Sequence, residues 1–219
     1  MTAALTLYTY WRSSAAYRVR IALHLKGLAF ESVPVHLVQG GGEQHAPAYV
    51  ARNPQHLVPT LEHGDDVLTQ SLAIIEYLDE VFPETPLLPN DAVSRQRARA
   101  LAQLVACDIH PLGNLRVLQY LERDLGLPGE ARARWITRWV QDGLAAYEAM
   151  LARSGAGDFS VGDAPTIADC ALVPQLYNAR RFSIDLTPYP HILRIDATCA
   201  ALPAFVAAAP ERQADAPPA

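Results

Sequence analysis

Two adjacent hydroxyl side chains stand at the predicted start of the first helix of the chain. Ser13 and Ser14 follow a strand-like run and precede an amphipathic segment that ends at Lys26-Gly27. The first amides of a helix have no partners inside the helix, and the positive end of the helix dipole favours a bound anion. Serine is also a preferred N-cap residue. The position therefore predicts either an anion-binding turn or a pair of capping serines.

Two more patterns in the first third of the chain place polar groups at the boundary of a strand or helix. Pro59 cannot donate to a strand ladder, so Val58-Pro59 is either a cis peptide that leaves the Val58 backbone open to a ligand or an ordinary turn. Gln70 and Ser71 place an amide and a hydroxyl at the start of another helix, where capping alone would account for them. Each pattern taken singly has a structural explanation.

A third helix start carries a capping box. Thr166 and Asp169 occupy positions from which their side chains can satisfy the exposed amides of the first helical turn. We interpret this segment as structural.

Length and composition exclude several classes of protein. The chain has 219 residues and a mass of 23.9 kDa, half of its residues are hydrophobic, and 18 basic against 23 acidic side chains give a formal charge of −5. A chain of this size buries enough apolar surface to fold, which argues against disorder. No apolar run approaches the ~20 residues of a membrane span, and the N-terminus lacks a secretory leader, so we expect a soluble, cytoplasmic protein without membrane contact.

Several kinds of site have no support in the sequence. No two of the seven histidines lie three or four residues apart, and Cys107 with His110 supplies only two ligands, so no metal is expected. The glycines lack both nucleotide-binding frames, no G-x-S-x-G motif is present, and no basic cluster is available for nucleic acid. Cys107, Cys170 and Cys199 are widely spaced and odd in number, which predicts buried free thiols in a reducing compartment.

The elements that must position these residues change in character along the chain. The order β-α-β-α-β-β-α in the first part predicts a mixed four-stranded sheet with a parallel crossover and a final hairpin, as in a thioredoxin-like domain. The strands are predicted at Leu5–Tyr10, Phe30–Leu37, Val58–Leu61 and Asp66–Leu68, and the closing helix at Ser71–Val81.

The remainder of the chain is predicted to be all-helical. The prolines of FPETPLLPN disfavour helix, which predicts domains at 1–83 and 91–219 with a linker at 84–90. The tail ADAPPA is expected to fray. Helical patterns cover about 91–124, 129–153, 166–182 and 189–200.

In this order and at these intervals, the patterns resemble a glutathione transferase of the zeta class, which includes maleylacetoacetate and maleylpyruvate isomerases. The segment WRSSAAYRVRIALHLKG is similar to the class signature R-S-S-C-S-W-R-V-R-I-A-L, and the resemblance covers nearly the whole chain. Ala15 stands where many members have cysteine, so a mechanism that requires that thiol is excluded and catalysis is assigned to Ser13 and Ser14. Further matching segments are ARNPQHLVPTL, QSLAIIEYLDE, CDIHPLGNLRVLQYL, VGDAPTIADCALVPQ and NARRFSIDLTPYP.

The resemblance implies that the chain binds glutathione as a coenzyme. It implies that the γ-glutamyl carboxylate lies at Gln70 and Ser71, that the cysteinyl backbone lies on Val58 before Pro59, and that the thiol lies at Ser13 or Ser14. A thiol of pKa about 8.5 is only a few per cent ionised at pH 7, and a hydroxyl donor in front of a helix N-terminus would lower that pKa. Contacts of second rank are Gln44, Gln55, His110 and Asn114.

A maleyl substrate carries two carboxylates, for which arginine is the expected partner. Arg12 directly precedes the serines, and we assign it to catalysis and to substrate binding, with an ordinary surface charge as the alternative. Arg181, in the pattern N-A-R-R-F, matches the substrate-carboxylate arginine of the family. Arg180 is expected to be solvated, and Arg116 is a weaker candidate.

The implied activity is glutathione-dependent cis-trans isomerisation of a maleyl keto acid in aromatic-compound catabolism. The site is expected between a thioredoxin-like domain and an all-helical domain, in a homodimer that takes a small-molecule dicarboxylate. The alternatives are a general glutathione transferase, a dehalogenating activity on α-halo acids, and a non-catalytic glutathione-binding module. The sequence leaves open which serine faces the sulfur and whether maleylacetoacetate or maleylpyruvate is the substrate.

Overall fold

Residues 3–218 are described by the computed structural model, and they divide into two compact units. The first unit contains residues 3–88 and 201–218, and the second contains Pro89–Ala200. Predictions that fall on residues 1, 2 and 219 lie outside the described residues. Within the described chain, no helix is both long enough and apolar enough to span a bilayer.

The division of the chain differs from the predicted domains at the C-terminal end. The sequence assigned residues 91–219 to one helical domain, whereas residues 201–218 cluster with the first unit. The boundary after Leu88 lies inside the predicted linker at 84–90. The C-terminal residues join the first unit because they supply hydrogen-bond acceptors to its first helix and to the turn before it, as described below.

A mixed sheet organises the first unit. Its strands are β1 (Leu5–Thr9), β2 (Glu31–Pro34), β3 (Thr60–His63) and β4 (Asp66–Thr69), in the spatial order β2-β1-β3-β4. β1 and β2 are parallel, and the β1–β3 and β3–β4 pairs are antiparallel. The predicted mixed sheet, with a crossover first and a hairpin last, is confirmed.

All four strands differ in their bounds from those predicted, β1 and β4 by one residue at the end, and a proline accounts for two of the larger differences. β2 ends at Pro34 and not at Leu37, because proline has no N–H for a ladder and is tolerated at the edge of a sheet. β3 begins at Thr60 and not at Val58, because Pro59 likewise cannot donate to a neighbouring strand.

Three α-helices alternate with the strands in the first 88 residues. They are α1 (Ser14–Leu25), α2 (Pro47–Val50) and α3 (Ser71–Val81), and the bounds of α1 and α3 agree with the amphipathic patterns. Burial of their apolar side chains against the sheet supplies most of the stabilisation, at ~25 cal/mol per Å² of apolar surface. The fully buried members of this core include Leu7, Val19, Ile21, Leu23, Leu61, Ile74, Ile75 and Leu78.

The second unit is all-helical, as predicted. Its helices are α4 (Ala92–Gln103), α5 (Leu115–Arg123), α6 (Gly129–Ser154), α7 (Ile167–Arg181) and α8 (Pro190–Ala200). α7 is the central helix of this unit, since its first ten residues are all buried.

The predicted helix over 91–124 is interrupted. Between α4 and α5 the chain forms a π-helical turn at Leu104–Ile109 and a 3-10 turn at His110–Gly113. Pro111 lacks an N–H and disfavours α-helical geometry in the residue before it, so the regular hydrogen-bond ladder cannot continue. The single long helix expected from the periodicity was therefore wrong at this position.

The capping box at the start of α7 is confirmed. Thr166 Oγ1 accepts from the N–H of Ala168 at 3.2 Å, and the Asp169 carboxylate accepts from the N–H of Thr166 at 2.8 Å and of Ser160 at 2.9 Å. Burial raises the pKa of Asp169, and its hydrogen bonds to Ser160 and Thr166 act in the opposite direction. This carboxylate orders the start of the most buried helix.

The C-terminal segment adds a helix that the sequence did not predict. α9 (Pro203–Ala208) belongs to the first unit, where the Ala208 carbonyl accepts from Arg20 Nε at 3.0 Å. Asp215, in the tail that was expected to fray, accepts the backbone N–H of Trp11 through Oδ2 at 2.8 Å. The expectation of a frayed tail is therefore wrong at Asp215.

A buried ion pair joins the ends of α1 and α3. Lys26 Nζ donates to Asp79 Oδ1 at 2.8 Å and to the carbonyl oxygens of Phe82 and Thr85 at 2.9 and 2.7 Å. The side chains of Lys26 and Asp79 are 1% and 10% exposed. Asp79 also accepts the N–H of Leu87 at 2.6 Å, so the pair fixes the chain that leaves the first unit.

The substitution Asp79→Ala should lower the free energy of unfolding by about 3–5 kcal/mol, because it leaves a buried ammonium group without its counter-charge. Urea denaturation followed by circular dichroism measures the change. Glu80→Ala is the matched control, since Glu80 is exposed on the same helix, and it should change stability by less than about 0.5 kcal/mol. Equal effects of the two substitutions would contradict this role of the ion pair.

Candidate active site

The turn after β1 is built around a buried arginine. Arg20 of α1 is fully buried, and its Nη1 donates to Thr9 Oγ1 at 3.0 Å and to the Tyr10 carbonyl at 3.4 Å. Its Nη2 donates to the Trp11 carbonyl at 2.9 Å, and its Nε donates to Ala208. One guanidinium therefore connects the end of β1, the following turn and α9, because its five N–H groups lie in a fixed plane.

This turn leads directly into the first residues of α1. Ser13 is the N-cap, and its Oγ accepts from the N–H of Ala16 at 3.2 Å. The hydroxyl hydrogen of Ser13 remains available as a donor, and the side chain is only half-buried. Ser14 is the first helical residue and is 8% exposed. Within residues 3–218, the N–H groups of Ser14 and Ala15 have no hydrogen-bond partner.

The two predicted roles of Ser13 and Ser14 are therefore compatible. Ser13 caps α1 through its oxygen, yet it keeps one donor, and two open amides stand beside it. A hydroxyl that accepts from a backbone amide is also a better donor, because hydrogen bonds in a chain polarise one another. The turn can accommodate one small anion. Ala15 contributes a backbone N–H to it, a group that does not depend on the side chain at that position.

A second helix N-terminus is open in the same unit. Gln70 is the N-cap residue of α3, but its side chain makes no capping hydrogen bond. In the part of the chain that the structure describes, the N–H groups of Ser71, Leu72 and Ala73 have no partner. Ser71 Oγ accepts from Arg18 Nη1 at 3.1 Å, and both residues are buried. The suggestion that capping alone explains Gln70 and Ser71 is therefore wrong, and these donors suit a carboxylate.

Gln70 is held in an unusual backbone conformation. Its φ is 68°, in the left-handed region that is costly for residues other than glycine and asparagine. Gln70 Nε2 donates to Gln55 Oε1 at 2.7 Å, which connects two residues that were predicted to contact the same ligand. Both side chains are exposed.

The backbone of Val58 is also open. The Val58-Pro59 peptide is cis, which confirms the first of the two alternatives for this proline. Across residues 3–218, neither the N–H nor the C=O of Val58 forms a hydrogen bond. The preceding carbonyl of Leu57 is fixed, since it accepts from the Tyr49 hydroxyl at 2.6 Å and from Asn53 Nδ2 at 2.8 Å. The open peptide edge is thus rigidly supported.

Contacts within the first unit bring these groups together. Val58 packs in one apolar cluster with Tyr10, and Trp11 packs against that cluster. Arg18 of α1 reaches Ser71 at the start of α3. The turn before α1, the Val58 backbone and the start of α3 therefore converge around one surface of this unit.

Gln44 and Arg12 complete the predicted residues of the first unit. Gln44 is 7% exposed, and its Oε1 is buried without a hydrogen-bond partner. Arg12 is half-buried, with its guanidinium carbon 5.3 Å from the centre of the Trp11 ring. Its side chain forms no hydrogen bond or ion pair with the rest of residues 3–218. Gln44 thus offers an acceptor, and Arg12 offers donors for a carboxylate.

The remaining predicted residues lie in the second unit. His110 is in the 3-10 turn before α5, and Asn114 is the N-cap of α5, where its Oδ1 accepts from the N–H of Arg116 at 3.1 Å. Arg116 and Arg181 are exposed, and the Arg181 guanidinium carbon lies 4.4 Å from the centre of the Phe182 ring. Asn114 therefore has a structural role as a cap.

The neighbouring Arg180 is ion-paired and not merely solvated. Its Nη2 donates to Asp196 Oδ2 within the second unit. The two consecutive arginines therefore have different environments. Arg180 is ion-paired with a residue of α8, whereas the Arg181 guanidinium stacks on the Phe182 ring. The expectation that Arg180 is solvated was therefore incomplete.

The cysteines do not offer a nucleophile in a prepared environment. Cys170 and Cys199 are buried, and burial raises the pKa of the Cys199 thiol. Cys107 is exposed, so the prediction of a buried thiol is wrong there. Among the described residues there is also no group of three or more His, Cys, Asp or Glu side chains that could bind a metal ion.

Sequence reasoning missed three residues that shape the site. Arg18 and Arg20 are hidden in the helical pattern of α1, and Asp215 lies in the tail that was expected to fray. Two arginines in an otherwise apolar helix were a usable signal, because a fully buried arginine is rare unless its donors are satisfied. No sequence signal marked Asp215, since its partner is 204 residues away.

Comparison of the chain with known protein families identifies two matching domain models. A model of the glutathione S-transferase N-terminal domain matches residues 7–86, and a model of the glutathione S-transferase C-terminal domain matches residues 130–208. The chain belongs to the glutathione S-transferase family. The fold class predicted from the sequence, a thioredoxin-like domain followed by a helical domain, is that of this family and is confirmed.

Individual relatives show to which members of the family the chain is similar. A maleylpyruvate isomerase from a Ralstonia species is 52% identical over 211 residues, which are 95% of this chain and 98% of that protein. The holo structure of a maleylpyruvate isomerase, described as a bacterial zeta-class glutathione S-transferase, has a TM-score of 0.94 at 51% identity and covers 97% of this chain and 100% of that chain.

A further structure is that of a maleylacetoacetate isomerase from Anaeromyxobacter dehalogenans 2CP-1 with glutathione in its active site. It has a TM-score of 0.88 at 50% identity and covers 99% of this chain and 100% of that chain. The resemblance to the zeta class that the sequence motifs indicated is therefore confirmed.

We expect Asp215→Ala to lower kcat/KM for glutathione several-fold, because the Trp11 N–H loses its acceptor and the turn before Ser13 loses an anchor. A hydrogen bond to a charged group contributes about 1.5–3 kcal/mol. Steady-state kinetics and urea denaturation measure both effects. Asp215→Asn, which keeps an acceptor oxygen, should restore most of the activity. Glu211→Ala, an exposed change nearby in the C-terminal segment, should have no effect, and a similar loss from it would refute this role for Asp215.

Proposed function

We propose that this transferase is a glutathione-dependent cis-trans isomerase of a maleyl keto acid. The observation that carries the proposal is the convergence, in one unit, of two open helix N-termini and an open peptide edge at Val58. Glutathione has a carboxylate at each end, a peptide backbone in the middle and a thiol side chain. The γ-glutamyl carboxylate, the cysteinyl peptide groups and the thiol match in kind the three sets of unused donors and acceptors.

Each part of glutathione has a complementary group in the chain. The γ-glutamyl carboxylate would accept from the open amides of α3 and from the Ser71 hydroxyl, whose oxygen already accepts from Arg18. The cysteinyl N–H and C=O would pair with Val58, as in an added β-strand. Gln44 Oε1, a buried acceptor with no partner in the described chain, would accept a further N–H.

The first turn of α1 would stabilise the sulfur of glutathione as a thiolate. Ser13 has a free hydroxyl hydrogen, and Ser14 and Ala15 have free backbone amides beside it. Donors and a helix dipole that face a sulfur favour its charged form and lower its pKa. We therefore assign the thiolate contact to Ser13, while Ser14 acts through its N–H at the same turn.

Bound glutathione supplies a thiolate that adds reversibly to the cis alkene, which permits rotation about the former double bond before the sulfur leaves. The protein's residues set the conditions for this chemistry. Ser13 and the α1 amides increase the thiolate fraction, and arginine side chains bind the substrate carboxylates and stabilise negative charge next to the reacting carbons. We assign the substrate carboxylates to Arg12 and Arg181, with Arg116 as a secondary contact.

The location and assembly of the protein remain predictions. We propose a cytoplasmic enzyme, because the three cysteines are free thiols, as in a reducing compartment, and a homodimer by analogy with the family. The substrate is a small dicarboxylate. His110 and Asn114 remain proposed contacts of glutathione from the second unit.

Product analysis tests the reaction. With maleylacetoacetate and with maleylpyruvate, we expect formation of the trans product only when glutathione is present, without net loss of glutathione. The faster of the two substrates identifies the preferred acyl group. Stoichiometric consumption of glutathione would instead indicate a conjugating transferase, chloride release from an α-halo acid would indicate a dehalogenase, and binding without turnover would indicate a non-catalytic module.

The substitution Ser13→Ala should reduce kcat/KM by about 100-fold and shift its pH profile upward, because the bound thiol loses its hydroxyl donor and needs a higher pH to ionise. Ser13→Thr keeps both the cap and the donor and should retain most of the activity. Ser14→Ala keeps its backbone N–H and should cost less than about tenfold. A larger loss from Ser14→Ala than from Ser13→Ala would reverse our assignment.

A further inference from the structure

Two histidines form a direct contact beside the Val58 backbone. His45 Nδ1 and His56 Nδ1 are 3.1 Å apart, and the ring centres are 5.1 Å apart. His45 lies in the loop that follows β2, and His56 lies two residues before Val58. His56 has a φ of 57°, a left-handed conformation that is uncommon for a residue other than glycine. The contact therefore joins two loops next to the proposed glutathione site.

The neighbouring glutamine determines where the protons lie. Gln44 Nε2 is 3.3 Å from the Leu37 carbonyl oxygen and 3.2 Å from His45 Nε2. The amide nitrogen is the atom that faces Leu37, because the opposite orientation would bring two acceptor oxygens together. An amide nitrogen only donates, so His45 Nε2 accepts, and the proton of the neutral ring is on Nδ1.

The proton position on His45 determines the proton position on the neutral His56 ring. The Nδ1–H of His45 donates to Nδ1 of His56, so the neutral His56 ring carries its proton on Nε2. Among the described residues, His56 Nε2 has no hydrogen-bond partner. The chain from Gln44 through His45 thus ends in one outward N–H donor on His56.

The direction of a bound tripeptide places its last residue near this donor, an argument that rests on the proposed function. The γ-glutamyl end is assigned to the start of α3, and the cysteinyl backbone to Val58. In an antiparallel pairing, the residue after cysteine lies opposite the residues that precede Val58. The glycyl carboxylate therefore comes close to Leu57 and His56.

Of the other basic side chains in the segment 36–58, all of which the structure describes, Arg52 is ion-paired and His36 is hydrogen-bonded through Nδ1 alone. Arg52 Nε is 2.8 Å from Glu62 Oε1, and His36 Nδ1 accepts from the backbone N–H groups of Val38 and Gln39. The glycyl carboxylate needs a donor in this region, and the histidine pair supplies one. Gln44 Oε1 is a buried acceptor in the same network.

We propose that His56 binds the glycyl carboxylate of glutathione through Nε2–H, and that Gln44 and His45 are positioning residues that fix this donor. His56 therefore distinguishes glutathione from γ-glutamylcysteine, the dipeptide without glycine. This contact determines affinity for the coenzyme. It does not touch the reacting carbons of the substrate.

Calorimetric titration of the full chain with glutathione and with γ-glutamylcysteine tests the proposal. The substitution His56→Phe should raise the Kd for glutathione about tenfold, as expected for loss of one hydrogen bond to a charged group, and should change the Kd for γ-glutamylcysteine less than twofold. His45→Phe should also raise the Kd for glutathione selectively, but by a smaller factor. His191→Gln, an exposed histidine of the second unit, is the control and should change neither affinity.

A second variant guards against a folding defect. His56→Asn keeps a residue that tolerates the left-handed backbone, and it should show the same selective loss. Equal weakening of both ligands by His56→Phe and His56→Asn, or no weakening by either, would overturn the proposal. Failure of the unmodified chain to bind either ligand would instead overturn the proposed function itself, so the two failures are distinguishable.

Discussion

The structure of the site depends on one buried cation. Arg20 is inaccessible to water, and its guanidinium hydrogen bonds connect the end of β1, the turn that follows it and the last turn of α9. A buried charge is costly unless its donors are satisfied, so the backbone has little freedom to rearrange around it. The turn that contains Ser13 is therefore positioned by the interior of the protein. Asp215 adds a second anchor at Trp11 from the other end of the chain.

A common principle relates the two open helix starts. At each of them a serine oxygen accepts a hydrogen bond from inside the protein, from Ala16 at Ser13 and from Arg18 at Ser71, while its hydroxyl hydrogen stays available. The backbone amides beside each serine are also unused within the described residues. Such preformed donors need no reorganisation when an anion arrives, which is the condition for strong electrostatic stabilisation. Ala15 takes part through its backbone N–H alone, so its side chain is not needed for these groups.

The sequence predicted the parts of the fold that rest on local rules. The order of strands and helices in the first unit, the bounds of α1 and α3 and the capping box at Thr166 follow from periodicity and capping. Proline chemistry left a cis peptide and an ordinary turn open at Pro59, and the structure shows the cis form. The docking of α9 depends on contacts between residues far apart in sequence, so no local pattern predicted it. Pro111 was a local signal for the break before α5, but the helical periodicity on both sides concealed it. The same limit applies to the site. Its serines and Val58 were predictable, whereas the proton order along Gln44, His45 and His56 required coordinates.

The central claim is that the first turn of α1 converts the bound thiol into a thiolate. Calorimetry of glutathione binding at pH 7 in buffers of different ionisation enthalpy measures the number of protons released. A thiol whose pKa falls about two units below 8.5 should release about 0.7 proton per bound glutathione. Tight binding with release of less than about 0.1 proton would show that the thiol stays protonated, and it would contradict the account.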